Sequence, residues 1–476
     1  MNVLFAASEG APFLKTGGLG DVVGALAKAV SRKGHCAQVI LPLYGEIKET
    51  YGDRMEYIGQ KYIDFGWRRQ YMGLFRCQVE NVAYYFIDNE YYFKRGRVYG
   101  EYDDGERFGF FSKAILDAVP WLAQQPDILH LNDWQTALAS AYFNLYYRGQ
   151  EAYRRIKTVF TIHNIQYQGR YGKELLENVL GIDEAHFDSG FLACDGDVNF
   201  MKAAIVASDA VTTVSPSYAG EIVTPYYGQG LDGILRLYRH KLKGIRNGID
   251  TELYDPRTNP NLAENFGPDT LDKKQENKKA LLAENCLQAE ADTPVISIVT
   301  RFAEHKGMDL VAAVLEDILS DDIRLIVLGT GEWKYEQMFI RAKQKFPDKI
   351  GVNILFSQDM ADQIYAGSDI FLMPSRSEPC GLAQMMAMRY GAVPVVRETG
   401  GLKDTVFPYV DYLGTGNGFT FASYNAHDML HVIREACRVY RYNKAGWRSL
   451  QERGMTTDFS WDAPADDYLA LYQNLK

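Results

Sequence analysis

The feature of this chain that most constrains its fold is an alternation of short apolar runs with helical segments, which occurs in two series. The apolar runs of the first series are residues 3–7, 36–41, 82–87, 127–131, 158–162 and 210–214, and those of the second are residues 295–300, 324–328, 352–356, 369–373 and 393–396. The intervening segments with helical spacing include residues 21–32, 108–122, 135–147, 199–208 and 219–223. Such alternation is typical of parallel sheets with right-handed crossovers. The pattern predicts two parallel α/β sheets.

A polar stretch separates the two series and marks the domain boundary. It follows residues 243–250 and contains Pro256, Pro260 and Pro268, which interrupt regular structure. A chain of 476 residues also exceeds the usual size of one hydrophobic core. We predict one domain over residues 1–245 and another over residues 246–476, with the ligand between them. The final helix, about residues 460–476, is free to pack back on the first domain.

The charge of the chain narrows its range of partners. A formal net charge of −10 argues against nucleic acid and anionic membranes, because both favour a basic protein face, whereas a neutral polymer is compatible. Six cysteines without a Cys-x-x-Cys pair indicate a reducing compartment, with neither a disulfide framework nor a zinc site. Met1 leads directly into an apolar run, which leaves no room for a leader peptide, and no run approaches membrane-spanning length. We therefore expect a cytoplasmic protein.

Two turns that follow apolar runs of the second series are candidates for a binding site. Glu378 stands in a Glu-Pro-Cys-Gly-Leu segment, in which proline and glycine end the strand before a helix begins. The next turn contains Thr399, Gly400 and Gly401, whose amides are unobstructed. Because open α/β sheets bind ligands beyond the carboxyl ends of their strands, a sugar phosphate fits both turns. The alternative is a pair of ordinary strand-to-helix turns.

A glycine-bearing loop, residues 8–20, joins the first apolar run to the first helix. It contains Lys15, Gly17 and Gly18, in a spacing that matches neither the G-x-G-x-x-G nor the G-x-x-x-x-G-K-[ST] nucleotide motif. Bare amides and a lysine at the start of a helix are still sufficient to hold a diphosphate. The alternative is a solvated loop.

Polar residues also follow three other strands. Asp133 and His163 end consecutive runs of the first series, although Asp133 could be only a helix cap and His163 only a structural residue. Arg301 and Lys306 follow the first run of the second series. Two cations beside a diphosphate would neutralise the charge that develops on a leaving group, although surface cations near turns are also common.

Taken together, these segments resemble the motifs of the bacterial glycogen synthases, which are retaining glucosyltransferases of the two-domain GT-B type and relatives of the plant starch synthases. The matching segments are residues 15–19 (KTGGL), 88–93 (DNEYYF), 130–136 (HLNDWQT), 161–164 (TIHN), 199–202 (NFMK), 214–216 (VSP), 246–250 (RNGID), 301–307 (RFAEHKG), 375–382 (SRSEPCGL) and 399–402 (TGGL). They follow the order of the family and cover essentially the whole chain.

The resemblance implies a fold and an activity. The fold would be GT-B, with two doubly wound Rossmann-like domains, an acceptor side in the first, a donor side in the second and a cleft between them. The activity would be transfer of glucose from ADP-glucose to the non-reducing end of an α-1,4-glucan, with retention of configuration, which elongates glycogen. It implies no metal and no other cofactor.

The resemblance also assigns roles to single residues. Lys15, with the Gly17 and Gly18 amides, would hold the diphosphate of the donor, while Arg301 and Lys306 stabilise the departing ADP. Glu378 would accept hydrogen bonds from the hydroxyl groups of glucose, His163 would lie beside the reacting carbon, and Asp133 would lie near the acceptor. The remaining residues of the implied donor site are Asn247, Cys380, Gly381, Leu382, Thr399, Gly400 and Gly401.

Three other functions are alternatives. The residues do not exclude a related GT-B enzyme that uses UDP-glucose, since the choice of nucleobase depends on loop contacts. A non-catalytic glucan-binding homologue is disfavoured because Lys15, Arg301, Lys306 and Glu378 are all present. A metal-dependent GT-A enzyme would need a D-x-D motif, and Asp195-Gly196-Asp197 supplies one, but we interpret it as a solvated turn. The sequence predicts no particular oligomeric state.

Overall fold

The computed structural model describes residues 1–476, which divide into two units. The first unit contains Met1–Gly248 together with Trp461–Lys476, and the second contains Ile249–Ser460. None of the helices combines the length and the apolar character needed to cross a membrane.

The first unit is organised around a nine-stranded sheet. The strands of this unit are β1 (Asn2–Ala6), β2 (Cys36–Pro42), β3 (Glu56–Phe65), β4 (Arg68–Val79), β5 (Val82–Asp88), β6 (Ile128–Asn132), β7 (Lys157–Ile162), β8 (Arg170–Tyr171), β9 (Ala193–Cys194), β10 (Asp197–Asn199), β11 (Ala210–Thr213) and β12 (Leu242–Gly244). The large sheet has the order β12-β11-β7-β6-β1-β2-β5-β4-β3, and β8, β10 and β9 form a separate small sheet. The central strands are parallel and fully buried, as their uninterrupted apolar runs predict.

One edge of the large sheet is an antiparallel hairpin, β3–β4, which the apolar runs of the sequence do not predict. Most residues of these strands are exposed or half-buried; β3 alternates only near its end, and in β4 the buried residues are Met72–Leu74 and Cys77, so neither strand is a continuous apolar run. The hairpin turns at Gly66, whose φ is +59° and where a Cβ would lie 2.7 Å from the Val179 carbonyl oxygen. Glycine is therefore required at this turn.

Helices cover both faces of the large sheet. They are α1 (Gly18–Arg32), α2 (Gly45–Tyr51), α3 (Glu90–Phe93), α4 (Asp104–Ala118), α5 (Trp134–Tyr142), α6 (Ala185–Asp188), α7 (Phe200–Ala207), α8 (Pro216–Glu221) and α9 (Asp232–Leu237). The helix predicted over residues 219–223 begins earlier because Ser215 caps it through the Tyr218 amide and Pro216 occupies its first turn. Helix α5 continues as a π-helical turn, Phe143–Tyr147.

The second unit is built on a six-stranded parallel sheet of order β15-β14-β13-β16-β17-β18. Its strands are β13 (Val295–Val299), β14 (Arg324–Leu328), β15 (Ile350–Asn353), β16 (Ile370–Met373), β17 (Val393–Arg397) and β18 (Phe419–Phe421). Its helices are α10 (Lys274–Glu284), α11 (Met308–Ser320), α12 (Trp333–Lys345), α13 (Gln358–Gly367), α14 (Ala383–Arg389), α15 (Gly400–Thr405), α16 (Ala426–Tyr442) and α17 (Lys444–Thr456). The strand predicted over residues 352–356 was placed too late, since β15 ends at Asn353 and Phe356 is exposed.

The last helix, α18 (Asp462–Leu475), belongs to the first unit. The Tyr472 hydroxyl lies 2.6 Å from Nδ1 of His130 in β6, and the other ring nitrogen of His130 lies 2.5 Å from the Thr161 hydroxyl in β7. All three side chains are buried, so this polar chain connects the C-terminal helix to the centre of the sheet.

Each sheet reverses its strand order at one point. In the second unit successive strands add on one side of β13 and then on the other, so the reversal lies between β13 and β16. In the first unit it lies between β1 and β6. Open parallel sheets bind ligands at such switch points, beyond the carboxyl ends of the two strands. The loops that follow β1, β6, β13 and β16 are therefore where a site is expected, and the prediction of two doubly wound sheets is confirmed.

Candidate active site

The switch point of the second unit brings a lysine into direct contact with a glutamate. Lys306 ends the turn after β13, and Glu378 lies in the turn after β16. The Lys306 ammonium donates to both carboxylate oxygens of Glu378, at 2.9 and 2.7 Å, and the Ser375 hydroxyl donates to Oε2 at 2.9 Å. The lysine and glutamate side chains are only 16% and 7% exposed. These charge-assisted bonds fix the orientation of the carboxylate.

A glycine permits the two turns to approach so closely. Gly307 follows Lys306 with a φ of +80°, and a Cβ at this position would lie 2.2 Å from the Pro374 carbonyl oxygen. Any other residue would push the β13 turn away from the β16 turn. Gly307 therefore sets the distance between Lys306 and Glu378.

The turn after β17 packs against the turn that carries Glu378. The Gly401 amide donates to the Glu378 carbonyl oxygen at 3.1 Å. A Cβ on Gly400 would lie 1.9 Å from the Glu378 carbonyl oxygen, and one on Gly401 would lie 2.1 Å from that of Cys380. Both glycines are therefore needed for backbone contact rather than for flexibility alone. The predicted site segments 380–382 and 399–401 lie side by side.

Arg301 and His305 complete this part of the second unit. Arg301 is exposed and makes no hydrogen bond or salt bridge, so its guanidinium is available to a ligand. Burial, followed by the charges of Lys306 and Arg301, lowers the pKa of His305 to about 4. His305 is thus neutral near pH 7, and its buried Nε2 has no hydrogen-bond partner. The sequence interpretation passed over His305, which stands between the two cations it selected.

In the first unit, a buried carboxylate shapes the glycine-bearing loop. Oε2 of Glu9 accepts hydrogen bonds from the Thr16 amide and the Thr16 hydroxyl, each at 2.6 Å. Glu9 is 2% exposed, and burial raises its pKa. Lys15, the neighbour of Thr16, forms a salt bridge of 2.9 Å with Asp21. Glu9 was missed because a single acidic residue in a loop carries no motif; only its burial identifies it.

The same loop leads into a helix that begins at the predicted glycines. Gly17 is the N-cap of α1 and Gly18 its first residue, and Gly18 is exposed. The first amides of an α-helix have no partner within the helix and favour an anion. Lys15, Gly17 and Gly18 therefore lie at the start of α1, and Lys15 is held beside the helix by Asp21.

Asp133 has a strained backbone at the end of β6. Its φ of +59° and ψ of 178° lie in a region that residues other than glycine rarely occupy. Asp133 occupies the N-cap position of α5, but its side chain makes no cap hydrogen bond, and its Oδ1 accepts the His163 amide at 2.9 Å instead. Burial raises the pKa of Asp133 to about 7. Its second oxygen accepts no hydrogen bond within the protein, which leaves it available to a ligand.

His163 contacts Asp133 through its backbone and Asn132 through its ring. Asn132 Nδ2 donates to the carbonyl oxygens of Ala6 and His130, at 3.1 and 3.3 Å, which turns Oδ1 of Asn132 towards His163. Since His163 Nε2 lies 2.9 Å from that oxygen, Nε2 carries the proton and Nδ1 is an acceptor. Burial lowers the pKa of His163 to about 3, so the ring is neutral at ordinary pH.

Asn247 lies in the segment after β12, at the end of the first unit's main stretch. It is 3% exposed, and its Oδ1 is buried without a hydrogen-bond partner. A buried unpaired acceptor is costly, which is why native proteins usually satisfy it with water or ligand. Asn247 is therefore a candidate binding residue.

The D-x-D segment is a hairpin turn between β9 and β10. Asp195 and Asp197 are 68% and 46% exposed, and both face Arg170, at 3.8 and 3.2 Å. No group of three or more His, Cys, Asp or Glu side chains is arranged to hold a metal ion. The segment has the geometry of a surface turn, as the sequence interpretation expected.

Comparison with protein families divides the chain as the two sheets do. Residues 2–237 match the starch synthase catalytic domain, and residues 284–444 match the glycosyl transferases of group 1. Among curated proteins, a glycogen synthase from Clostridium novyi is 48% identical over 476 residues, covering 100% of this chain and 99% of its own length. A glycogen synthase from Geobacillus stearothermophilus is 48% identical over 475 residues, covering 100% and 98%.

Solved structures agree with this comparison. The catalytic domain of starch synthase IV from Arabidopsis thaliana, bound to ADP and acarbose, superposes with a TM-score of 0.90 at 34% identity, covering 100% of this chain and 99% of that one. A sucrose-phosphate synthase from Thermosynechococcus elongatus superposes with a TM-score of 0.61 at 17% identity, covering 100% and 98%, which shows a shared fold only.

Two doubly wound sheets with charged turns at their switch points define the chain as a GT-B glycosyltransferase. Such an enzyme transfers a hexosyl group. Full-length identity near one half then fixes the family: the chain belongs to the bacterial glycogen synthases and their relatives, the plant starch synthases. The predicted fold class and enzyme class are confirmed.

Proposed function

We propose that this enzyme elongates an α-1,4-glucan in the cytoplasm by transferring glucose from ADP-glucose to the non-reducing end, with retention at the anomeric carbon. The observation that carries the proposal is the Lys306–Glu378 pair at the switch point of the second unit. A cation beside a carboxylate suits a leaving phosphate next to sugar hydroxyls, which supports the proposal. The starch synthase of the same family, whose structure contains ADP and acarbose, supports this choice of donor and acceptor.

The second unit supplies the charge that the leaving group needs. In the transition state negative charge develops on the diphosphate, so cations fixed nearby before the reaction lower the barrier. Lys306 is fixed by Glu378, whereas Arg301 has no protein partner and is free to close on a phosphate. We assign both to the departing ADP. His305, which lies between them in the sequence, is neutral and adds no further positive charge.

Glu378 accepts hydrogen bonds from the sugar and does not form a covalent bond to it. Oε1 already accepts from Lys306, and Oε2 accepts from Lys306 and from Ser375, so neither oxygen is a free nucleophile. A covalent glycosyl intermediate on Glu378, of the kind that retaining glycosidases form, is therefore disfavoured. We assign Glu378 to the hydroxyl groups of the donor glucose. Retention then follows from attack on the same face that the phosphate leaves.

The backbone beside Glu378 completes the donor pocket. Amides of Cys380, Gly381 and Leu382, with those of Thr399, Gly400 and Gly401, are assigned to the sugar and phosphate oxygens. Gly400 and Gly401 allow the two turns to pack in backbone contact, which brings their amides side by side. Gln384 holds the first of these turns by donating to the Gly381 carbonyl oxygen at 2.8 Å.

The first unit supplies the groups for the acceptor and the reacting carbon. We assign Lys15, with the Gly17 and Gly18 amides, to the donor's diphosphate. Asp133, with one uncommitted oxygen, is assigned to a hydroxyl of the glucan. We place neutral His163 beside the reacting carbon, where its ring adds no positive charge near the developing oxocarbenium ion. Asn247, with its unpaired Oδ1, accepts a ligand hydroxyl.

A direct assay tests the proposal. Purified enzyme is incubated with glycogen and radiolabelled ADP-glucose or UDP-glucose, and label in the polymer is counted. We expect incorporation from ADP-glucose well above that from UDP-glucose. Equal or greater incorporation from UDP-glucose would contradict the donor assignment, and no incorporation from either would indicate a glucan-binding homologue without activity.

A further inference from the structure

A cavity of about 430 Å³ opens on the first unit, away from the groups described above. Its walls include Lys61 from β3, Lys113 and Asp117 from α4, and three tyrosines, Tyr146, Tyr147 and Tyr153. Cavities that bind small molecules typically measure roughly 300–1,000 Å³. None of these residues follows a strand at the switch point, and the proposed glucosyl transfer uses none of them.

The charges in this cavity are unbalanced. Asp117 is satisfied by Lys61 at 2.6 Å on one oxygen and by the Tyr147 hydroxyl at 2.9 Å on the other. Lys113 has no carboxylate within salt-bridge distance; its ammonium donates at 3.4 Å to the Tyr147 hydroxyl and lies 5.4 Å from the centre of the Tyr142 ring. The lining thus holds two ammonium groups and one carboxylate, in a chain of net charge −10.

Burial makes the unpaired ammonium of Lys113 energetically costly. Desolvation lowers the pKa of Lys113, and the more distant charges of Asp117 and Asp64 only partly compensate. A partly buried ammonium without a counter-ion is stabilised by any anion that reaches it. A neutral ligand would leave the same charge uncompensated. The cavity therefore favours an anionic ligand.

The tyrosine wall is fixed by an unusual backbone element. Tyr146 and Tyr147 end the π-helical turn that continues α5. The Tyr146 hydroxyl donates to the Gly181 carbonyl oxygen at 3.4 Å, and Tyr153 donates to that of Leu116 at 2.9 Å, so the wall is anchored on both sides. Short π-helical turns within α-helices occur frequently at functional sites. Tyr146, 41% exposed, offers a ring face to the body of a ligand.

We propose that this cavity is a binding site for a small phosphate monoester, with its phosphate at Lys113 and Lys61 and its organic body against Tyr146. An ammonium pair suits a doubly charged phosphate, and the volume accommodates a sugar attached to it. The site is distinct from the donor diphosphate site in the residues it uses.

The test is calorimetric titration of the full-length enzyme with a hexose 6-phosphate, in saturating ADP so that the donor site is filled. Free hexose and inorganic phosphate are titrated alongside. We expect the ester to bind, the hexose not to bind, and inorganic phosphate to bind more weakly. Binding should persist in Lys306→Ala, which separates this site from the donor site. Absence of ester binding, or equal binding of the free hexose, would overturn the proposal.

Substitutions at the cavity should act in opposite directions. Lys113→Met keeps the alkyl stem and should weaken binding about tenfold, whereas Lys113→Arg should restore it. Asp117→Asn removes the one carboxylate and should tighten binding about threefold. Lys279→Met, which removes an exposed lysine of the second unit, is the charge-matched control and should bind as the wild type does. Unaltered binding in Lys113→Met would refute the site; the Lys113 pair decides if Asp117→Asn fails to fold.

Discussion

The two switch points of this enzyme hold the carboxylates of Glu378, Glu9 and Asp133 in different ways, although each switch point also contains a neutral histidine. In the second unit a lysine and a glutamate neutralise each other at 2.7 Å. In the first unit the carboxylates of Glu9 and Asp133 are buried without a cationic partner, which raises the pKa of both, and His163 is buried as a neutral ring. Paired charges keep their positions over a wide pH range, whereas desolvated groups respond to pH.

The difference matches two chemical tasks. A leaving diphosphate needs positive charge nearby, and Arg301 and Lys306 are the residues that we assign to this task. An acceptor hydroxyl is neutral and needs a hydrogen-bond acceptor close to the reacting carbon, which a buried carboxylate such as Asp133 provides. We therefore expect activity to depend on the charged residues of the second unit and on the protonation state of the buried carboxylates of the first.

The largest expected effect comes from breaking the charged pair. Glu378→Ala and Lys306→Ala should each lower kcat with ADP-glucose at least about a hundredfold, because each removes a contact made to the transition state. Lys345→Ala, an exposed lysine of the same unit, is the control and should retain full activity. The double variant Lys306→Met with Glu378→Gln should lose far less than the sum of the single losses, because the pair acts as one group. Strict additivity would show that the two residues act separately.

The glycine-bearing loop offers the next largest effect. Lys15→Ala should cost about a hundredfold in kcat/KM, and Glu9→Ala about tenfold, since the loop loses both bonds at Thr16. Glu9→Gln keeps an oxygen that can accept both bonds and should recover most of the activity. Steady-state kinetics with ADP-glucose measure both. If Glu9→Ala neither raises KM nor lowers kcat, the loop does not depend on its hydrogen bonds to Glu9.

Asp133 should give the first unit a pH dependence that the second lacks. Because its pKa is raised to about 7, the accepting carboxylate is lost as the pH falls through 7, and kcat should fall with it. Asp133→Asn should be slower, by about tenfold, and should lack this acidic limb. A wild-type rate that is flat between pH 6 and pH 8 would contradict the role given to Asp133.

The same residue makes a stability prediction of defined sign. The folded Asp133 binds its proton up to about pH 7, whereas an unfolded aspartate loses it near pH 4. Between these values the folded state holds more protons, so this group lowers the free energy of unfolding as the pH rises from about 4 to 7. The gain in melting temperature from Asp133→Asn should therefore be larger at pH 7.5 than at pH 5. An equal gain at both would indicate that the burial does not shift this carboxyl.

The smallest effect is expected outside both switch points. Replacing Asp195 and Asp197 together with asparagine should change activity less than about twofold, because exposed pairs with a single arginine contribute little. Activity in EDTA should equal activity in buffer. Activity that is lost in EDTA and restored by manganese would favour the metal-dependent alternative.

The sequence predicted the strands that bear the site because their apolar runs are continuous and their ends are polar. It predicted that Lys306 and Glu378 follow strands, but not that they touch, since 71 residues lie between them and contact depends on strand order across the sheet. Strand order is set by crossovers that no local pattern records. Gly400 and Gly401 were predicted for their bare amides but are also required for backbone contact, and the same requirement at Gly307 was not predicted.

Other features escaped prediction for physical reasons that can be named. Hairpin β3–β4 is mostly exposed or half-buried and so lacks a continuous apolar run. Glu9 looks like any loop acid until its burial is known. The sequence left Asp133 between a helix cap and a ligand group; the structure shows that it occupies the N-cap position while its side chain accepts the His163 amide, a bond that no local pattern indicates.

The most direct measurement is a crystal structure of the enzyme with ADP and a short maltooligosaccharide. The account predicts that the β-phosphate of ADP lies within hydrogen-bonding distance of Arg301 and Lys306, that Lys15 contacts the same diphosphate, and that a glucose hydroxyl reaches Asp133. ADP bound with its phosphates away from Lys306 and Lys15 would contradict the account.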